Sequence, residues 1–147
     1  MRQLRPYLYF GPSVLPVDLP RLRRAGITAV LSLQEPGVDL SHAAVERMRA
    51  ACAPDVVFTN IGIRDYDPDA VVAALPVVLA SLHALIAGGR VVYVHCSEGI
   101  ARSPSTVLAY LVRHEGLDVD RALAEIERSD AGAAPYAAVA NWLRTGS

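Results

Sequence analysis

A chain of 147 residues with 15 acidic and 14 basic side chains carries a formal net charge of −1, which gives it no long-range attraction to polyanions; no nucleic-acid partner is expected. Apolar residues make up 52% of the sequence, enough for the packed core of one domain over residues 1–147 and too many for a disordered chain. Every basic residue is arginine, which excludes a lysine Schiff base and a phosphate-loop lysine, and the two cysteines, Cys52 and Cys96, have neither a disulfide partner set nor the CxxC spacing of a zinc site.

The start, Met1-Arg2-Gln3-Leu4-Arg5-Pro6, is basic, but no signal-peptide core follows it. No apolar run reaches the ~18 residues of a membrane span. A cytoplasmic protein with no membrane partner is expected, as a monomer. Short apolar runs at Tyr7-Phe10, Ile27-Leu33, Val56-Ile63 and Val91-His95 read as strands. Helical patterns lie between and after them, at Leu19-Ala25, Ser41-Ala51, Pro68-Ala87, Ser103-His114, Val119-Ser129 and Pro135-Arg144. Asp67 caps the third helix ahead of Pro68, and Gly88-Gly89 ends it. Gly116 stops the fourth, and Asp118 caps the fifth. This alternation predicts an α/β fold: one three-layer domain with a central, mostly parallel sheet of four to five strands flanked by about six helices.

The segment Val91-Val92-Tyr93-Val94-His95-Cys96-Ser97-Glu98-Gly99-Ile100-Ala101-Arg102-Ser103-Pro104 concentrates the chemistry. A buried strand delivers Cys96 to its carboxyl end, and a helix opens about seven residues later, in the crevice where open α/β sheets bind ligands. Backbone N–H groups of the loop can converge on one point, and the helix dipole adds positive charge there. Both stabilise an anion and a thiolate alike, which makes Cys96 a nucleophile near neutral pH. Arg102 closes the loop with a planar fork suited to two phosphate oxygens, and Gly99 permits a tight turn close to the ligand.

His95-Cys96-x5-Arg102-Ser103 resembles the signature loop of the protein tyrosine phosphatase superfamily, and its Gly-x-x-Arg-Ser-Pro ending is similar to the small dual-specificity branch. The resemblance implies that Cys96 attacks phosphorus to form a phosphocysteine, while Arg102 and the amides of Ser97, Glu98, Gly99, Ile100 and Ala101 bind the phosphoryl oxygens. It implies that Ser103 hydrogen-bonds the departing thiolate, that His95 supports the loop, and that no metal or organic cofactor takes part. The family's general acid lies on a loop after an upstream strand, here Ile61-Gly62-Ile63-Arg64-Asp65-Tyr66-Asp67-Pro68. Asp67 has a capping role and Asp69 falls in the first helical turn, so Asp65 matches the acid, with Asp67 as the alternative.

Beside these residues, Tyr66 is a candidate stacking surface for substrate, or a packing residue. Arg64 is a candidate substrate contact, or a partner of the nearby aspartates. Cys52 reads as core filler, or as a thiol able to trap oxidised Cys96. His42, His83 and His114 form no ligand spacing, and Trp142 reads as core.

The loop rim carries no basic side chain, and Glu98 adds a negative one, which disfavours phosphoinositides and other highly acidic substrates. A phosphorylated protein is therefore the expected substrate, with phosphotyrosine ahead of phosphoserine and phosphothreonine. A phosphoglucan is the alternative. Ile63-Arg64-Asp65-Tyr66-Asp67, Leu75-Pro76-Val77-Val78, Leu31-Ser32-Leu33-Gln34 and the run into Cys96 resemble the plant starch phosphatases, which with laforin dephosphorylate glucans. Those enzymes prefer Ala-Gly-x-Gly before the loop arginine, where this chain has Glu98-Gly99-Ile100-Ala101. A catalytically silent phosphate-binding module and a sulfur-transfer or arsenate-reducing enzyme are the remaining readings; Cys96, Arg102, Asp65 and Ser103 together argue against the first, and the lack of resolving cysteines beyond Cys52 against arsenate reduction.

Overall fold

In a computed structural model of the protein, which describes residues 1–146, five short strands form one sheet. They are β1 (Arg2–Arg5), β2 (Leu8–Gly11), β3 (Ala29–Ser32), β4 (Val57–Asn60) and β5 (Val92–His95), in the spatial order β1-β2-β5-β3-β4. β1 runs antiparallel to β2, and every other pairing is parallel. The strand at Arg2–Arg5 is an addition to the sequence reading. Its exposed, arginine-flanked residues show no apolar alternation, as befits an edge strand bound along one side only.

Six helices complete the fold: α1 (Leu19–Arg24), α2 (His42–Cys52), α3 (Pro68–Ala87), α4 (Arg102–Arg113), α5 (Val119–Ser129) and α6 (Ala137–Arg144), with a 3₁₀ turn at Pro16–Asp18 ahead of α1. The caps expected from sequence are present. The Asp67 carboxylate accepts the Ala70 N–H at 3.0 Å, and Asp118 accepts that of Arg121 at 2.8 Å. α6 starts two residues later than the apolar pattern indicates, because Ala134 and Tyr136 are engaged by the loop after β5 and by α4.

Side-chain alternation divides the core into two layers. Leu8, Phe10, Ala29, Leu31, Val92 and Val94 face α3 to α6, while Tyr9, Val30 and Tyr93 face α1 and α2. Because both faces are covered, the strands read as continuous apolar runs. Each fully buried side chain of this kind contributes roughly 1.5–3 kcal/mol. α4 lies at the centre, with every residue from Arg102 to Leu111 buried.

One expectation needs correction. α3 is 20 residues long, with a mean hydropathy of 2.3 over an 18-residue window of which 28% is buried, so by length and composition it does qualify as a membrane span. Val71, Leu75, Val78, Leu79 and Leu82 form its buried stripe. The opposite face carries Ala73, Pro76, Val77, Ala80 and Ala84 where a surface helix usually carries charges, and that raises the hydropathy.

Candidate active site

β2, β3, β4 and β5 run parallel, so the loops that follow them emerge at one end of the sheet. Cys96 follows β5 directly and is 2% exposed. It forms the floor of a cavity of about 360 Å³, whose walls include Asp65, Tyr66, Glu98, Ile100, Arg102 and Tyr136. The backbone N–H groups of residues 97–101 make no hydrogen bond to any described residue. This is a cluster of unused donors ahead of the first turn of α4, the arrangement that binds oxyanions.

Arg102 is 1% exposed and is the largest fully buried side chain. Its Nη1 donates to Asp39 Oδ2 at 2.7 Å and to the Ile63 carbonyl at 2.8 Å. Its Nη2 donates to Ser97 Oγ at 3.1 Å and lies 3.2 Å from Asp65 Oδ2. Nε has no partner. The guanidinium is thus anchored through both terminal nitrogens, and Nε is the donor left without a partner among the described residues. Burial works against ionisation of Asp39, but the bond from Arg102 and the Glu35 N–H outweigh it and hold the carboxyl below the usual range.

Asp65 and Tyr66 both line the cavity. Asp65 Oδ1 accepts the Tyr66 N–H at 3.0 Å, and Tyr66 sits in the left-handed region at φ 56° and is 82% exposed as a residue. Such a conformation costs a non-glycine residue on the order of 1–2 kcal/mol and turns both side chains toward the site. Asp67 is committed to its cap, and Asp69 is exposed on the first turn of α3. Ser103 Oγ lies 3.4 Å from Cys96 Sγ and 3.2 Å from the Gly11 carbonyl, so its proton has two competing acceptors.

His95 is 2% exposed, with Nδ1 3.1 Å from the Cys96 carbonyl. Burial, and secondarily the Arg102 charge, lower its pKa to about 4 against the pull of that carbonyl. The ring is therefore neutral at pH 7 and donates through Nδ1.

Gly99 and Ser97 differ from their expected roles. Gly99 has φ 74°, but the space it spares is taken by protein. A Cβ there would meet Gly11 C at 2.5 Å and Pro12 N at 2.6 Å, so the glycine lets the loop pack on the end of β2 and does not line the cavity. Ser97 turns its hydroxyl to Arg102 and to Gln34 Nε2, each at 3.1 Å, and it too is absent from the cavity wall. Arg64 pairs with Glu35 at 3.0 Å, a glutamate and not one of the neighbouring aspartates. Cys52 packs in the layer facing α1 and α2, whereas Cys96 belongs to the other, which fits core filler.

Sequence reasoning missed Asp39, Gln34 and Tyr136. A signal existed for Asp39: a buried arginine needs a carboxylate, and the loop after β3 emerges beside it with Glu35 and Asp39 to offer. Tyr136 gave none. It reaches the site because Ala134 N–H donates to the Ile100 carbonyl at 2.6 Å and Tyr136 N–H to Ser105 Oγ at 2.9 Å.

The sequence model for the dual specificity phosphatase catalytic domain matches residues 8–144, and the chain belongs to that family. It is similar to the phosphoglucan phosphatase DSP4 of Castanea sativa, at 33% identity over 77% of this chain and 32% of that protein. The phosphatidylglycerophosphate phosphatase PTPMT2 of Arabidopsis thaliana is 32% identical over 84% of this chain and 52% of its own length. The chain thus spans about a third to a half of these curated relatives. Among solved structures, human DUSP28 superposes with a TM-score of 0.76 at 24% identity, covering 99% of this chain and 94% of that one. The human tyrosine phosphatase-like serine/threonine/tyrosine-interacting protein gives a TM-score of 0.78 at 22% identity, covering 99% and 94%.

Two predictions follow from this geometry. Asp39→Ala leaves a buried guanidinium without its main counter-ion and is expected to destabilise the fold by roughly 3 kcal/mol in urea denaturation. His95 has a folded-state pKa of about 4, below its unfolded value of 6.5. The unfolded chain therefore binds the extra proton first, so this contribution is fully present above pH 6.5 and is lost as pH falls from 6.5 to 4. Denaturation series across that window are expected to show a loss of up to about 3 kcal/mol, much reduced in His95→Asn, which keeps a donor for the Cys96 carbonyl.

Proposed function

We propose that the protein hydrolyses phosphomonoesters through a phosphocysteine on Cys96, with phosphotyrosine in proteins as its main substrate. The observation that carries the chemistry is that Cys96 and Arg102 line one cavity and are joined by a loop whose backbone N–H groups have no partner among the described residues.

In the first step, Cys96 Sγ attacks phosphorus as the bond to the tyrosyl oxygen breaks. Asp65 gives that oxygen its proton, and the loop amides with Arg102 carry the charge of the equatorial oxygens. In the second step, water attacks the phosphocysteine and Asp65 takes its proton. The P–S bond breaks as Ser103 O–H turns from the Gly11 carbonyl to the leaving thiolate, releasing orthophosphate. His95 holds the carbonyl of Cys96 through Nδ1 and takes no part in proton transfer.

The preference for an aryl ester in a protein rests on the walls. Tyr66, Ile100, Ala101, Ala134 and Tyr136 present mostly apolar surface to the group that carries the phosphate. Five of the six exposed large hydrophobic side chains, Leu15, Val17, Val38, Tyr66 and Ile100, lie on the segments that follow β2, β3, β4 and β5, which emerge at the same end of the sheet. That surface suits an extended peptide better than a small sugar phosphate. Phosphoserine and phosphothreonine are weaker substrates on this reading. The second reading is a glucan phosphate, favoured by the likeness to DSP4 and by the open ring of Tyr66.

Orthophosphate release from a phosphotyrosyl peptide, a solubilised phosphoglucan and phosphatidylglycerophosphate micelles, measured side by side, tests the reading. The peptide is expected to lead by at least ten-fold in kcat/KM, with Cys96→Ser inactive throughout; a leading glucan moves the function to carbohydrate. Asp65→Asn is expected to slow alkyl phosphates by 100-fold or more, within the usual range for a general acid, and activated aryl phosphates by far less. Equal losses on both would remove Asp65 from that role.

A further inference from the structure

We infer that Glu98 acts as a charge filter at the mouth of the site, selecting phosphotyrosine flanked by arginine or lysine over phosphotyrosine flanked by acidic residues. The inference rests on the phosphatase reading and extends it to the identity of the substrate's neighbours.

Glu98 is exposed, sits two residues after Cys96 and forms part of the cavity wall. Its carboxylate makes no hydrogen bond or ion pair with any described residue, in contrast to the other acids around the site. Asp39 and Asp65 are both held by Arg102, and Glu35 is held by Arg64. Among the described residues Arg102 is the one cation in the cavity wall, and its charge is already met by the Asp39 carboxylate at 2.7 Å. Arg64, the basic residue beside Asp65, is committed to Glu35.

A phosphate dianion entering the loop therefore brings its charge toward an uncompensated carboxylate. That repulsion acts within a Debye length, ~8 Å at physiological salt, and is only partly screened. A cationic side chain next to the phosphotyrosine relieves it by pairing with Glu98, whereas an acidic one adds to it. Buried surface does not make this distinction, because Ile100, Ala101, Ala134 and the two tyrosines accept either peptide equally.

The test compares kcat/KM for two phosphotyrosyl peptides that differ only in having arginine or glutamate on either side of the phosphotyrosine. The wild-type protein is expected to favour the arginine peptide about ten-fold at low ionic strength, narrowing at 0.5 M salt. Glu98→Gln is expected to remove most of the preference and Glu98→Arg to invert it, while Glu46→Gln, on the exposed side of α2, leaves the ratio unchanged. A preference that survives Glu98→Arg, or the absence of any in the wild type, overturns the proposal. Affinities of the same peptides for Cys96→Ser separate the two readings. Selective binding without turnover in the wild type would defeat the phosphatase reading and leave the filter standing; turnover without selectivity would do the reverse.

Discussion

A guanidinium that is 1% exposed cannot be tolerated without partners, and the arrangement of this protein around Arg102 follows from that requirement. The loop after β3 supplies Asp39, the loop after β4 supplies the Ile63 carbonyl and Asp65, and the loop after β5 supplies Ser97. Three loops are tied to one side chain, and α4 begins at that same residue. The parallel sheet makes this possible, because strands running in one direction release their loops at one end. Asp39 is in turn fixed by the Glu35 N–H at 2.7 Å, and Glu35 by Arg64, so the anchoring extends outward to the surface.

The same economy governs the loop that carries Cys96. Residues 97–101 spend none of their backbone N–H groups within the described protein, so the loop cannot be rigid through its own donors. Its carbonyls and side chains do the holding. Ser97 O accepts from Ser13 N–H at 3.0 Å, Ile100 O from Ala134 N–H at 2.6 Å, and Cys96 O from His95. Gly99 adds close packing on Gly11 and Pro12. The acceptors are spent on the protein and the donors are left over, a division that suits the loop to an oxyanion.

Much of this was legible in the sequence, for identifiable reasons. The runs at Tyr7-Phe10, Ile27-Leu33 and Val91-His95 are apolar on both faces, so their strands were plain; the edge strand at Arg2–Arg5 has Leu4 as its one apolar residue, half-buried against the core, too little to make a pattern. Cys96, Arg102 and Ser103 were found because strand, loop and helix fall in one continuous segment. Asp39 and Tyr136 were missed because they enter through space, the first from the neighbouring parallel strand and the second from a loop folded over α4. Gly99 was identified for its conformation, but a sequence cannot say that the close neighbour would be the backbone of β2. The hydropathy of α3 was misjudged because its exposed face is built from alanine, proline and valine.

The charge balance of the site has a consequence for how it recognises ligands. Arg102 is offset by Asp39 and Asp65, and Glu98 has no partner among the described residues, so the side chains of the cavity wall carry no net positive charge. The chain as a whole, at −1, adds none. On the proposed chemistry, attraction to phosphate comes from contacts made inside the loop, where the amide donors and Arg102 Nε act over hydrogen-bond distance. Binding of this kind rewards shape and penalises charge in the rest of the ligand. An apolar ring adds no charge to the repulsion that its phosphate already meets at Glu98, whereas a second anionic group increases it. On the proposed chemistry, selectivity in this small fold is thus set by what surrounds the phosphate, since the phosphate itself is common to every candidate substrate.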